Sequence, residues 1–328
     1  MIFSDIDYDR PGRQVDWLHL PHSVTRSAYG TIAIPIACFK NGSGPTVFLM
    51  AGNHGDEYEG QIALTRLIRE LDVGRIQGRV IVMPAANLPA AMEGARVSPI
   101  DGGNLNRAFP GDPEGGPTAQ IAHYINTVLF PLADYHHDIH SGGSSLEYLP
   151  FCSMRLGSDT ALNAKALAAL KAFNAPLGFV WAYSPDNRLS AVSALNQGVV
   201  CLGGEFGGSG RVSIEGVRIV EKGVRNLLIH AGVIEGEPVI GAPTRLVELK
   251  GRDYYVYAPD HGLFEPFCEL GDMVSAGQPC GQVHFVDDPG RPPVVCHFRT
   301  DGMVACKRHP GRVVRGDCVA HLATDYKG

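Results

Sequence analysis

Three predicted strands in this chain break into glycine and ionisable residues at the same end. That pattern constrains the fold more than any other feature. The segments read "TVFLMAGNHGDEYEG", "DYHHDIHSGG" and "GVVCLGGEFGGSG". A chain that only needed to turn has little use for His54, Glu57, His140 and Glu205 at those points. The runs before them are rich in β-branched and aromatic residues, as strands are. "TIAIPIACF" reads as a further strand, and "GRVIVMPAAN" as one buried on both faces.

Helices are expected between the strands. Glu59–Leu71 places Ile62, Leu67, Ile68 and Leu71 on one face, as an amphipathic helix requires. Leu88 to about Pro117 is Gly/Pro-rich and reads as a long loop. Thr118 is the expected cap of a helix reaching about Ala133. Ala161–Phe173 is dominated by good helix formers, and Ser213–Ala231 opens on a possible N-cap. Strands alternating with helices predict an α/β fold with a mostly parallel or mixed sheet covered on both faces. After about Gly241 helical periodicity vanishes, and short strands with repeated Gly-Asp turns take over. The expected division is 1–240 and a β-rich 241–328, with "LGDMVSAGQ" and "HPGRVVRGD" as two halves of a small β-sandwich or barrel.

Composition excludes several classes. Hydrophobic residues at 45% and charged residues at 19% are ordinary globular values, and a net charge of −6 gives no basic surface for nucleic acid. No run approaches the roughly 18 apolar residues that span a bilayer, and the start lacks a secretory pattern, so a cytoplasmic location is expected. Five of the eight cysteines fall in the last 61 residues without any C-x-x-C pair. Their spacing fits neither zinc ribbon nor disulfide framework, and they read as small buried hydrophobes.

A zinc ion that does chemistry takes three nitrogen or oxygen ligands and keeps a position for water. His54 and Glu57, spaced H-x-x-E, can converge on one ion where a strand gives way to a helix. Glu59 is expected to point elsewhere. The third ligand comes from another strand end, where open α/β sheets gather their ligands. His136, His137 and His140 compete for it, and His140 sits at the strand's mouth. Asp138 shares the face of His140 and is an orienting candidate, while His136 and His137 read as packed histidines. Glu205, between two glycine pairs with an apolar strand behind it, suits a general base with a raised pKa. Asn106-Arg107 offers an amide and a guanidinium for gripping a carboxylate, and Arg96 lies in the same loop, able to face a developing oxyanion.

Together "GNHGDEYEG", "GGNLNRAFPG", "DIHSGG" and "GEFGG" resemble the succinylglutamate desuccinylase/aspartoacylase family, related to zinc carboxypeptidases, over nearly the whole chain. The resemblance implies one zinc ion on His54, Glu57 and His140. It also implies Glu205 as base and then acid, Arg96 as carbonyl polariser, and Asn106 with Arg107 as carboxylate clamp. The N-terminal half is most similar to the branch that deacetylates N-acetyl-2,4-diaminobutyrate during ectoine breakdown. Glu147 would then be a partner for a cationic amine, against its reading as a solvated glutamate. The expected partners are a small N-acyl amino acid and further copies of the chain. Rival readings are a metallocarboxypeptidase acting on short peptides and a non-catalytic metal-binding protein. The tail is similar to biotinyl/lipoyl-type domains. Its hairpin reads "FVDDPGRPPVV" with Lys307 elsewhere, so no covalent cofactor is expected.

Overall fold

The computed structural model describes residues 2–182 and 186–328. Its first half contains the strands β1 (Gly12–Pro21), β2 (Thr31–Asn41), β3 (Thr46–Ala51), β4 (Gly78–Met83) and β5 (Tyr135–Ile139). Next come β6 (Leu146–Tyr148), β7 (Phe151–Arg155), β8 (Leu177–Trp181) and β9 (Val200–Glu205). The helices are α1 (Tyr58–Glu70), α2 (Leu88–Glu93), α3 (Pro117–Tyr124), α4 (Thr160–Phe173), α5 (Ser190–Leu195) and α6 (Ile214–His230). β3 pairs in parallel with β4 and β5, and β5 in parallel with β9. The three chemistry-bearing strands therefore end at one edge of the sheet. β1 and β2 form an antiparallel hairpin, and β7 runs antiparallel to β9, so the sheet is mixed.

Alternation along the strands separates two cores. Val47, Leu49 and Ala51 of β3 pack with Leu64 of α1, Leu170 of α4 and Val220 of α6. Phe48 and Met50 point the other way, to Ile34, Ile36, Ile121 and Phe130. Burying a side chain such as Phe48 contributes about 1.5–3 kcal/mol relative to leaving it in water.

Beyond α6 lie β10 (Arg245–Glu248), β11 (Tyr255–Tyr257), β12 (Gly262–Pro266), β13 (Met273–Val274) and β14 (Pro279–His284), followed by β15 (Val294–His297), β16 (Gly302–Arg308), β17 (Arg312–Val313) and β18 (Cys318–Asp325). The large sheet continues into them, because β10 pairs in parallel with β8 and antiparallel with β18. β6 reaches across to β16. A second sheet is ordered β15, β14, β12, β17. Phe151, Leu177 and Phe179 share a third core with Val247, Val256, Val304 and Leu322.

Three local readings need correction. The segment expected to be loop contains α2, too short to show periodicity, opened by Pro89 and stopped by Gly94 at φ 64°. Thr118 is inside α3 rather than its cap. The N-cap is Gly116, and the Asp101 carboxylate, from 17 residues upstream, accepts both the Thr118 N–H and its hydroxyl at 2.8 Å. The α-helix also ends earlier than expected. A wider turn at Ile125–Leu129 and a 3-10 turn at Phe130–Leu132 follow it, with Pro131 unable to donate a helical hydrogen bond. All eight cysteines are free thiols, and all but Cys318 are buried.

Candidate metal centre

β3 delivers the chain to Asn53 and His54, and Glu57 occupies the N-cap position of α1. Its carboxylate does not cap the helix. One oxygen lies 2.7 Å from His54 Nδ1, and the other 2.7 Å from His140 Nδ1. Arg96 Nη1 stands 3.3 Å from the first oxygen, and the Ser141 N–H donates to the second at 3.2 Å. His54 and Glu57 are 3% exposed and His140 9%, so two imidazoles and a carboxylate meet almost out of water.

The far nitrogens of both rings are held as well. His54 Nε2 lies 3.1 Å from Asn104 Oδ1, and His140 Nε2 lies 3.0 Å from Asp138 Oδ2. An Nε2–H donated outwards leaves Nδ1 as a lone pair facing the common point, the orientation a metal-binding histidine requires. Asp138 Oδ2 also accepts from Asn53 Nδ2 at 3.0 Å and from the Ser190 hydroxyl. The Asp56 carboxylate accepts the Ser144 N–H and hydroxyl, both at 2.8 Å, pinning the His54 turn to the loop after His140.

The electrostatics suit a cation. Burial alone would raise the Glu57 pKa, but His54 and then His140 hold it well below the usual carboxylate range. Burial opposes charge on His140, yet the Asp138 and Glu57 carboxylates outweigh it and hold its pKa well above the ordinary value. Burial lowers His54. The donor atoms of His54, Glu57 and His140 all lie within 4.8 Å of one another. Two imidazole nitrogens and a carboxylate, with the far ring nitrogens fixed by Asn104 and Asp138, fit a divalent ion such as zinc.

Glu205 ends β9 beside His140, to which it is bridged in parallel. Its Oε2 is buried and has no hydrogen-bond partner among the described residues. Burial, and then the neighbouring Glu57 charge, raise its pKa well above the ordinary value. Glu205, Arg96, Asn106 and Arg107 line one cavity of about 440 Å³ with the His–Glu–His cluster. Asn106 is engaged within the protein: its Oδ1 accepts the Ser190 N–H at 3.0 Å, and its Nδ2 lies 3.3 Å from His140 Nε2. Arg107 Nε is 3.1 Å from Asp186.

Other expectations resolve plainly. His136 and His137 are wholly buried, bonded to the carbonyls of Phe48 and Gly203 and pressed by burial to pKa values of about 4 and about 3. Glu59 points away and accepts the Ser213 N–H at 2.7 Å, joining α1 to the start of α6. Glu147 does not line the cavity. Its β6 position aims it at Arg211, 2.9 Å away, so it is no partner for an amine there. Sequence reasoning missed Asn104, Asp56, Ser190 and Asp186. Of these, Asn104 alone carried a signal, as the first amide of "GGNLNR".

Residues 43–231 match the family described as succinylglutamate desuccinylase/aspartoacylase catalytic domain. The chain belongs to this family. The N-alpha-acetyl-L-2,4-diaminobutyric acid deacetylase of Halomonas elongata is 39% identical over 323 residues, 98% of this chain and 94% of the relative. The solved succinylglutamate desuccinylase/aspartoacylase of Rhodobacter sphaeroides superposes with a TM-score of 0.94 at 45% identity, covering 99% of each chain. The product-bound ectoine utilization protein EutE (DoeB) of Ruegeria pomeroyi superposes at 0.95 and 40% identity, covering 98% of each. These similarities reach beyond the matched catalytic segment to the C-terminal strands. Those strands supply Tyr255 and His321 to the cavity wall.

Proposed function

We propose that this family member is a cytoplasmic amidohydrolase that deacylates small N-acyl amino acids, with N-α-acetyl-L-2,4-diaminobutyrate or a close analogue as substrate. The observation that carries the reading is the convergence of His54, Glu57 and His140 on one point beside a buried Glu205 oxygen that has no partner among the described residues. The 39% identity to a diaminobutyric acid deacetylase favours that acyl amino acid over others. The cavity volume of about 440 Å³, with Tyr255 and His321 in its wall, favours a single amino acid over a peptide. We also propose that residues 241–328 form a β-rich unit of barrel-sandwich type, joined to the catalytic half through the large sheet and contributing Tyr255 and His321 to the cavity wall.

His54, Glu57 and His140 would hold zinc, which when bound supplies Lewis acidity to a water and to the amide carbonyl. Glu205 takes the proton of the attacking water and passes it to the departing amine. Its raised pKa suits both halves of that exchange. Arg96, at the edge of the cluster, donates to the carbonyl oxygen as charge develops there. Asn106 and Arg107 position the substrate carboxylate.

The test is a screen of N-acetyl, N-succinyl and dipeptide substrates on the purified protein, before and after chelation. Hydrolysis of N-acetyl-2,4-diaminobutyrate that is lost with chelator and restored by zinc supports the reading. Preferential cleavage of dipeptides would replace it with a carboxypeptidase, and metal binding without hydrolysis with a non-catalytic protein.

A further inference from the structure

β7 carries Phe151, Ser153 and Arg155 at alternate positions, so all three face the cavity. Phe151 pairs with Glu205 on the neighbouring strand, which fixes the hydrolytic end of that row. Arg155, four residues on, lies about 13 Å further along the strand at ~3.3 Å per residue. It is level with Trp181 of β8, and its guanidinium carbon lies 5.7 Å from the centre of that ring.

Arg155 is unlike the other arginines nearby. Arg107 and Arg188 share Asp186, and Arg211 has Glu147, whereas no carboxylate among the described residues pairs with Arg155. Burial, with a smaller contribution from the Arg107 charge, lowers its pKa from the ordinary value. A guanidinium is a planar fork of donors matched to a carboxylate, and a partly buried one without an anion is costly to keep. Stacking on Trp181 offsets only part of that cost.

We infer that Arg155 is a substrate-anchoring residue that receives a carboxylate of the acylated amino acid at the cavity wall remote from the His–Glu–His cluster. The inference rests on the proposed deacylase reading and adds a residue that none of the sequence motifs contains. The carboxylate is either the α-carboxylate, held jointly with Arg107, whose charge reaches Arg155, or an acidic side chain, since both present the same planar anion. An extended acyl amino acid and an arginine side chain together bridge the distance from Glu205.

Two substrate pairs separate the sources: N-α-acetyl-2,4-diaminobutyrate with its α-carboxamide, and N-acetylglutamate with N-acetylglutamine. Wild type is compared with Arg155→Met and Arg155→Gln, each checked for native circular dichroism and metal content. The expected result is a rise in KM of roughly tenfold or more on the anchored carboxylate substrate, with kcat little changed. The variant should then no longer distinguish that carboxylate from its amide. The pair that loses its discrimination identifies which carboxylate is held. A folded variant with wild-type KM and undiminished discrimination in both pairs overturns the inference. If wild type hydrolyses none of these substrates, the deacylase reading fails instead. Calorimetric binding of 2,4-diaminobutyrate and glutamate to wild type and Arg155→Gln then decides, and equal affinities would overturn the anchor. If neither variant folds, Arg155→Lys, which keeps the charge without the fork, must raise KM several-fold for the inference to stand.

Discussion

Glu205 and Asp138 are both acids beside His140, yet their surroundings give them opposite tasks. Asp138 Oδ2 takes three donors and its pKa is depressed: burial works to raise it, but the His140 charge outweighs that. It holds the His140 imidazole in place rather than moving protons, so Asp138→Asn should weaken metal affinity about 10–100-fold, measured by competition with a chelator of known affinity. Glu205 has an oxygen with no partner among the described residues and a raised pKa. Glu205→Gln should keep the metal and lower kcat by about 10²–10⁴. Wild-type turnover in that variant would remove it from the mechanism. His54, Glu57, His140 and Glu205 were legible in the sequence because each interrupts an apolar strand. Asp56 and Ser190 were not, since their partners Ser144 and Asp138 lie 88 and 52 residues away, and Asn104, visible only as an amide of its motif, could not be tied to His54, 50 residues away.

At the scale of elements, the turn that carries His54 is built against α2. A Cβ at Gly55 would lie 1.9 Å from the Ala90 carbonyl oxygen, and the Gly55 N–H donates to Ala95 at 2.9 Å. Gly55→Ala should therefore destabilise the fold by about 1–3 kcal/mol and lower metal content, because the displaced turn carries two ligands. Denaturant unfolding together with metal analysis checks both. The strands and long helices were readable from periodicity, with ends within a residue or two for α1 and α6. The β1–β2 hairpin and the pairing of β6 with β16 were not, because register between distant segments leaves no local mark. Glu147 illustrates the consequence: its neighbourhood is set by β16 and Arg211, not by the nearby His140.

For the whole molecule, three buried histidines tie stability to pH. Burial holds His136, His137 and His321 at pKa values of about 4, about 3 and about 4. The same side chains titrate near 6.5 when unfolded. Between about pH 6.5 and 4 the unfolded chain binds protons that the folded chain refuses. Stability is thus fully present above pH 6.5 and falls with acid by ~1.4 kcal/mol per pH unit for each histidine. Denaturant midpoints at about pH 7 and 5.5 should differ in this direction, and His321→Gln should make the dependence shallower. A midpoint unchanged over that interval would contradict the neutral packing of these rings.

The most direct test of the account is the metal content of the purified chain and of its Glu57→Ala and His140→Ala variants, measured by mass spectrometry of the metal after dialysis. The account predicts one divalent ion per wild-type chain and little or none in either variant, with Glu205→Gln retaining its ion. Undiminished metal in the Glu57 and His140 variants, or hydrolysis by a wild-type chain stripped of metal, would contradict it.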